Sequence, residues 1–313
     1  MTDNKRTPFP IKKLRDVFGE SLQENVAMSS YTTARVGGQV DGLVVVHSAP
    51  ELEKTIRFLW DMDIPYYLIG GGSNVLVPDA GLSGLVVLNR AHTVKIDSSQ
   101  NSPTVWAETG AILSSIAHQV ALRGLGGLEW AASVPGTLGG AVYGNAGALG
   151  SDLSKSLILA EILQPSGRIT WTCEEMDYGY RTSRLKRSRD KSVILSAKLS
   201  LSQSTVEKVQ AQMDAFSAKR RGSQPPGASM GSMFKNPPGD YAGRLIEAAG
   251  LKGTRIGGAE VSSVHANFFI NRENARAADL YQLIRLVQSK VMETSHVQLE
   301  LEVELLGNWQ DNG

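Results

Sequence analysis

Three features of the chain predict a mixed α/β fold in two domains. An apolar run at 43–46, a helical pattern after it and a second apolar run at 66–69 make one strand–helix–strand unit, the mark of an α/β element. Fifteen of the 32 glycines lie between Gly70 and Gly150. That stretch also carries Leu, Val, Ile and Trp, so it reads as packed backbone that turns tightly or meets a ligand closely, not as a flexible linker. The third feature is length: 313 residues, at about 150 per domain, give roughly two domains.

The elements follow in order. Residues 1 to about 25 read as an irregular or weakly helical lead-in. After the strand at 43–46, Ser48 can cap a helix with Pro50 and Glu51 in its first turn. Leu52, Ile56 and Leu59 fall at i, i+4 and i+7 on one face, and Pro65 ends the run before the strand at 66–69. Strands are expected at 85–88, 94–96 and 105–107, then a helix over 111–122 with Ile112, Ile116 and Val120 on one face. The glycine-rich run 124–150 precedes strands at 157–163, 169–171 and 193–201.

The pattern changes near residue 204, where we set the domain boundary. A helix over 206–221 ends in Lys219, Arg220 and Arg221, as suits a helix C-terminus. RGSQPPGASMGSMFKNPPGD then reads as a loop of about twenty residues, a length usually reserved for function or disorder. Helices are expected at 241–249 and 275–292, and strands at 266–270 and 297–306. In the last, Val297, Leu299, Leu301, Val303 and Leu305 point one way, and Gln298, Glu300, Glu302 and Glu304 the other.

Composition narrows the function. Lys+Arg is 32 and Asp+Glu 31, a balance that makes no case for nucleic acid or an anionic membrane as partner. No apolar stretch of about 18 residues is present, and basic MTDNKRTPFPIKKLRD is followed by no apolar run, so neither a membrane span nor a secretory signal is expected. The single cysteine, Cys173, excludes an internal disulfide and a multi-cysteine zinc site, and the five histidines lack ligand spacing. A cytoplasmic protein without a metal is expected.

Two glycine motifs point to a ligand. Gly70-Gly71-Gly72-Ser73-Asn74-Val75 follows a strand, and consecutive N–H groups there can form a nest for a pyrophosphate. It is neither a Rossmann fingerprint nor a Walker A loop, and a plain tight turn is the alternative. Val134-Pro135-Gly136-Thr137-Leu138-Gly139-Gly140 lets backbone approach a flat or extended ligand, with Ser133, Thr137 and Asn145 as hydrogen-bonding groups. Its alternative is close packing of two backbone segments. Ser232-Met233-Phe234-Lys235 has the Ser-x-x-Lys spacing of an acylating hydrolase, but no G-x-S-x-G elbow or convincing His–Asp pair accompanies it. Its serine could equally cap Phe234 or Lys235.

Taken together, YTTARVGGQVDG (31–42), IGGGSNVLV (69–77), LEWAASVPGTLGGAVYGNAG (128–147), YRTSR (180–184), GSMFKNPPGDYAGRLIEAAGLKG (231–253) and VSSVHANFFIN (261–271) resemble the UDP-N-acetylenolpyruvoylglucosamine reductase (MurB) family. The likeness runs in order over about 26–307. It implies a non-covalent FAD in a domain of the vanillyl-alcohol-oxidase (PCMH) type at 26–204, with subdomains of about 26–90 and 91–204. An α+β substrate-binding domain follows at 205–313. It further implies that Ile69, Gly70, Gly71, Gly72, Ser73, Asn74 and Val75, with Ser133, Val134, Pro135, Gly136, Thr137, Gly139 and Gly140, line the FAD. Gly110, Asn145 and Gly147 are expected nearby. Arg35 falls either on the same ligand or in a salt bridge.

The same resemblance assigns chemistry. NADPH would reduce FAD, and the reduced flavin would reduce UDP-GlcNAc-enolpyruvate to UDP-N-acetylmuramate. By this correspondence Ser232 is the proton donor, Arg181 holds the enolpyruvyl carboxylate, and Glu302 helps to activate the group. Tyr180, Lys235 and Asn236 would bind substrate. A small-molecule substrate and a monomer are expected. Some positions depart from the family pattern: Gly144 and Leu149 replace larger or aromatic residues, Ser223 stands at a frequent lysine, and Glu304 at a frequent basic residue. No insertion carrying a substrate-covering tyrosine follows 184, which fits the shorter subgroup. The rivals are an oxidase with covalent flavin and a nucleotide-sugar binder without activity.

Overall fold

The computed structural model describes residues 9–309 except 189. The first eight residues of the lead-in, and Arg189 of the basic run after Arg181, lie outside that range. Three sheets organise the chain. The first has the order Gln23–Ala27, Gln39–Val46, Leu82–Asn89, Tyr66–Ile69. Gln39–Val46 and Tyr66–Ile69 both pair in parallel with Leu82–Asn89, so the expected strand–helix–strand unit is a crossover with a third strand inserted between its two.

The helix Ala49–Asp61 crosses this sheet as the sequence predicts. Ser48 Oγ accepts from the Glu51 N–H at 3.3 Å, and Glu51 reaches back to the His47 N–H at 2.7 Å. Glu108, 4% exposed, accepts from the Ala49 N–H at 2.7 Å and satisfies another donor of the first turn. Leu52, Ile56 and Leu59 are fully buried against Val44, Val46, Leu85 and Val87. Each such side chain contributes about 1.5–3 kcal/mol relative to exposure. The lead-in is more ordered than expected. Ile11–Phe18 is a helix that buries Leu14 in this core, and Gln23–Ala27 is already the edge strand.

The second sheet is antiparallel, in the order Gly167–Thr172, Leu157–Gln164, Val193–Ser200, Thr104–Glu108, Val94–Asp97. The helix Leu113–Ala121 covers it with Leu113, Ile116, Ala117 and Val120. Ile112, expected on that face, instead precedes the helix and is 57% exposed. The glycine-rich run contains a short helix, Leu138–Gly144, that the sequence did not suggest.

The third sheet, Ala228–Ser232, Phe268–Asn271, Ala259–Val261, Arg255–Ile256, packs under the helices Ala242–Ala248 and Ala277–Ser295. Ala228–Ser232 lies inside the segment read as a loop. Val206–Ser223, placed after the boundary, packs Val209 and Met213 on Ala121 and Ala132 of the second lobe. The expected terminal strand is mostly outside any ladder. Glu304–Leu305 pairs in parallel with Val75–Leu76 and Leu301 makes an isolated antiparallel bridge to Phe234, while Leu299 and Val303 are buried as the alternation requires.

Candidate active site

The two glycine segments meet. A Cβ on Gly71 would lie 3.0 Å from the Gly136 Cα, and one on Gly70 would lie 2.2 Å from Thr137 Oγ1. Gly72 has φ +61°, and a Cβ there would lie 1.9 Å from the Tyr31 carbonyl oxygen. Close packing of the two segments is therefore real, and it leaves a polar cradle. The N–H groups of Gly71, Gly72, Ser73 and Asn74 donate to no described residue. Ser133 Oγ, at the start of the second segment, is buried without a hydrogen-bond partner. Buried donors left unpaired are rare and point to a ligand that completes them, and a run of free N–H groups suits a pyrophosphate. A side chain on Gly140 would meet nothing within 4 Å, so that edge is open. These residues fit FAD.

The catalytic candidates converge beside this cradle. Arg181, at φ +56°, extends its guanidinium so that Nε lies 2.7 Å from Glu302 Oε1. Its NH2 group donates to the Gly147 carbonyl at 2.7 Å. Burial raises the Glu302 pKa, and Arg181 opposes that rise. The three glutamates of the last segment differ in exposure: the Glu300 side chain is mostly solvated, that of Glu304 is partly so, and that of Glu302 is largely buried. Glu300 pairs with Lys235 at 3.3 Å, Glu302 with Arg181, and Glu304 with Lys186 at 2.5 Å.

The Ser232 hydroxyl caps neither neighbour. The Phe234 N–H donates to Asn267 Oδ1 at 2.9 Å, and the Lys235 N–H to the Glu300 carbonyl at 2.9 Å. Ser232 Oγ bonds to no described residue. The Glu302 N–H donates to the Met233 carbonyl at 2.9 Å, so the main chain ties the Ser232 segment to the Glu302 segment. Tyr180, 53% exposed, accepts at its hydroxyl from the Asn236 N–H at 3.4 Å, and the Arg181 guanidinium lies 5.4 Å from its ring centroid. Asn236 Oδ1 accepts from the Ala242 N–H at 3.0 Å at the start of a helix.

Some expected cofactor residues have other engagements. Asn74 Nδ2 donates to the Glu302 carbonyl at 3.0 Å, so its amide ties the glycine turn to the last segment. Asn145 adopts φ +48° at the end of Leu138–Gly144, donates to the Gly179 carbonyl at 3.1 Å and accepts from the Ser154 N–H at 3.1 Å. Gly110 is small because a Cβ would lie 2.5 Å from the Ala91 nitrogen. Gly139 abuts Thr109, where a Cβ would lie 2.9 Å from the Thr109 Cβ. Gly147 lies against Ser151 and Asp152. Arg35 is exposed at φ +56° and makes no ion pair among the described residues. It sits on a strap that joins the glycine turn, through Thr33 N–H to the Gly72 carbonyl at 3.0 Å, to the third sheet, through Thr33 Oγ1 to the Ser229 carbonyl at 2.6 Å.

Sequence reasoning passed over Arg90 and Asn267. Arg90 donates to the Gly70 carbonyl at 2.7 Å, and burial lowers its pKa. Its place at the end of an apolar strand was the only available signal. Asn267 stood in a quoted segment with no role given.

The comparisons agree with this geometry. The family described as FAD binding domain matches residues 40–172. The family described as UDP-N-acetylenolpyruvoylglucosamine reductase, C-terminal domain, matches 224–306. The UDP-N-acetylenolpyruvoylglucosamine reductase of Synechococcus sp. (strain RCC307) is 43% identical over 92% of this chain and 94% of its own. That of Chloroflexus aggregans is 40% identical over 91% and 98%. The crystal structure of the reductase from Thermus caldophilus superposes with a TM-score of 0.76 at 34% identity, over 90% of this chain and 97% of that one. The chain belongs to the UDP-N-acetylenolpyruvoylglucosamine reductase family and is a flavin-dependent oxidoreductase.

Proposed function

We propose that the chain reduces UDP-N-acetylglucosamine enolpyruvate to UDP-N-acetylmuramate in peptidoglycan precursor synthesis, as a cytoplasmic monomer. FAD is held non-covalently by residues 69–75 and 133–140, and NADPH is the source of reducing equivalents. Residues 26–204 carry the flavin, 205–313 receive the sugar nucleotide, and Val206–Ser223 links the two parts. The observation that carries the reading is the meeting of Arg181, Glu302 and the Ser232 segment beside unpaired backbone donors of the glycine turn.

FAD, when bound and once reduced by NADPH, would supply the hydride that adds to the methylene carbon of the enol ether. Negative charge then develops on the adjacent carbon and its carboxylate. The Arg181 fork, already engaged with one carboxylate, has the shape to hold another. Glu302 can sit beside a substrate carboxylate because burial favours its protonated form. The Ser232 hydroxyl, bound to no described residue, gives its proton to the carbon. A hydroxyl is a weak acid toward ordinary bases but sufficient toward a carbanion. Lys235, Asn236 and Tyr180 hold the anionic and sugar groups.

The test follows absorbance of the FAD-loaded protein under anaerobic conditions. NADPH bleaches the flavin band, and UDP-GlcNAc-enolpyruvate restores it with formation of UDP-N-acetylmuramate. Restoration by oxygen alone, with no product, would refute the assignment. Acid precipitation that leaves the yellow colour in the pellet would refute non-covalent binding.

A further inference from the structure

Ser232 ends the strand Ala228–Ser232, and its ladder changes character there. Cα partners run Ala228↔Asn271 and Ser229↔Ile270, then shift register to Ser232↔Phe268. The shift spans Gly231 at φ +79°, a bulge of the kind that re-aims a side chain. Beyond Ser232 the Met233 N–H donates to the Asn267 carbonyl at 2.8 Å. The next rung is made by a side chain. The Phe234 N–H donates to Asn267 Oδ1 at 2.9 Å, and Asn267 Nδ2 donates to the Phe234 carbonyl at 2.8 Å.

A primary amide offers the donor and acceptor of a peptide group, so Asn267 stands in for a missing strand residue. It is 3% exposed, and the paired bonds are shielded from water. The Asn267 N–H in turn donates to His265 Nδ1 at 3.2 Å, and burial lowers the His265 pKa, which keeps that nitrogen an acceptor. The opposite edge of the same segment holds the catalytic glutamate, through Glu302 N–H to the Met233 carbonyl and Lys235 N–H to the Glu300 carbonyl. Asn267 therefore grips one edge of the segment 232–235, whose other edge carries Glu302, with Ser232 at its start.

We propose that Asn267 is a positioning residue: its side-chain amide fixes the bulged segment so that Ser232 and Glu302 face the reacting carbon together. The proposal rests on the reading of Ser232 as proton donor. Asn267→Ala removes both side-chain bonds. Asn267→Asp keeps the acceptor for Phe234 N–H but sets an oxygen against the Phe234 carbonyl. Asn267→Gln retains the amide one methylene further out.

Stopped-flow absorbance on the FAD-loaded variants separates the half-reactions. Bleaching by NADPH should stay within about twofold of wild type, while reoxidation by UDP-GlcNAc-enolpyruvate slows roughly a hundredfold, as a misplacement of about 1 Å commonly costs. The KM for that substrate should change little, the solvent deuterium isotope effect on reoxidation should rise, and Asn267→Gln should recover part of the rate. If Asn267→Ala does not fold, Asn267→Asp carries the same test. Equal slowing of both half-reactions, or unchanged reoxidation in a folded variant, overturns the proposal. Ser232→Ala run alongside separates the two failures. Fast reoxidation there sinks the role of Ser232, whereas slow reoxidation there with fast Asn267 variants sinks only the positioning role.

Discussion

Ser232→Ala is the sharpest perturbation because it removes chemistry and almost no structure. Ser232 Oγ bonds to no described residue, and the bonds that hold its segment come from Asn267, Glu300 and Glu302. Folding stability should therefore stay within about 0.5 kcal/mol. Loss of a positioned acid costs about 10²–10⁴ in rate, or about 2.7–5.4 kcal/mol at about 1.36 kcal/mol per tenfold. Arg181 and Glu302 remain to stabilise developing charge, so a residual rate survives. The assay is anaerobic stopped-flow, with NADPH first and the enolpyruvyl substrate second. The first phase should match wild type and the second should slow by that factor, with a normal melting temperature. A second phase within about threefold of wild type would refute Ser232 as donor, as would equal loss in both phases.

Other perturbations test other parts of the account. Gly72→Ala forces a Cβ to 1.9 Å from the Tyr31 carbonyl at φ +61°, so fluorescence titration should show weakened FAD binding and calorimetry a lower melting temperature. Glu302 has a raised folded pKa, so its contribution to stability is present below the unfolded carboxylate pKa and is lost as pH rises through the folded value. The melting temperature of wild type minus that of Glu302→Gln should accordingly fall as pH rises across that window; a flat difference contradicts the burial argument. Leu52→Ala, in the core under the first sheet, should cost about 2–5 kcal/mol in urea unfolding while the flavin still binds in the folded fraction.

Much of the first sheet was legible because local signals agreed. Ser48, Pro50 and the Leu52–Ile56–Leu59 spacing all specify one helix, and the structure caps and buries it as they indicate. Where a tertiary contact sets the conformation, the local pattern misled. Residues 297–306 alternate like a strand, yet most of the segment threads between Phe234 and the glycine turn, and only Glu304–Leu305 finds a ladder partner. Ala228–Ser232 was hidden by its glycines and prolines, although Phe268–Asn271 draws it into a sheet. Ile112 has the right spacing for the helix core but precedes the first turn, at an isolated bridge to Thr137.

At the site, residue type indicated chemistry better than partner. The unpaired N–H groups of the glycine turn were legible because they follow from backbone shape. The amides of Asn74 and Asn145 were not: an amide serves a ligand or a carbonyl equally well, and only the folded chain decides. Glu302 could be separated from Glu300 and Glu304 by resemblance alone, since alternation puts all three on one side. The structure distinguishes them by burial and by three different basic partners.

The central claim is that a flavin held between the two glycine segments exchanges electrons with substrate across Arg181, Ser232 and Glu302. Its most direct test is one anaerobic cuvette of purified protein incubated with FAD and then desalted. The account predicts a retained yellow band that NADPH bleaches and stoichiometric UDP-GlcNAc-enolpyruvate brings back. A colourless protein after desalting, or a bleached band that the sugar nucleotide leaves unchanged, would contradict it.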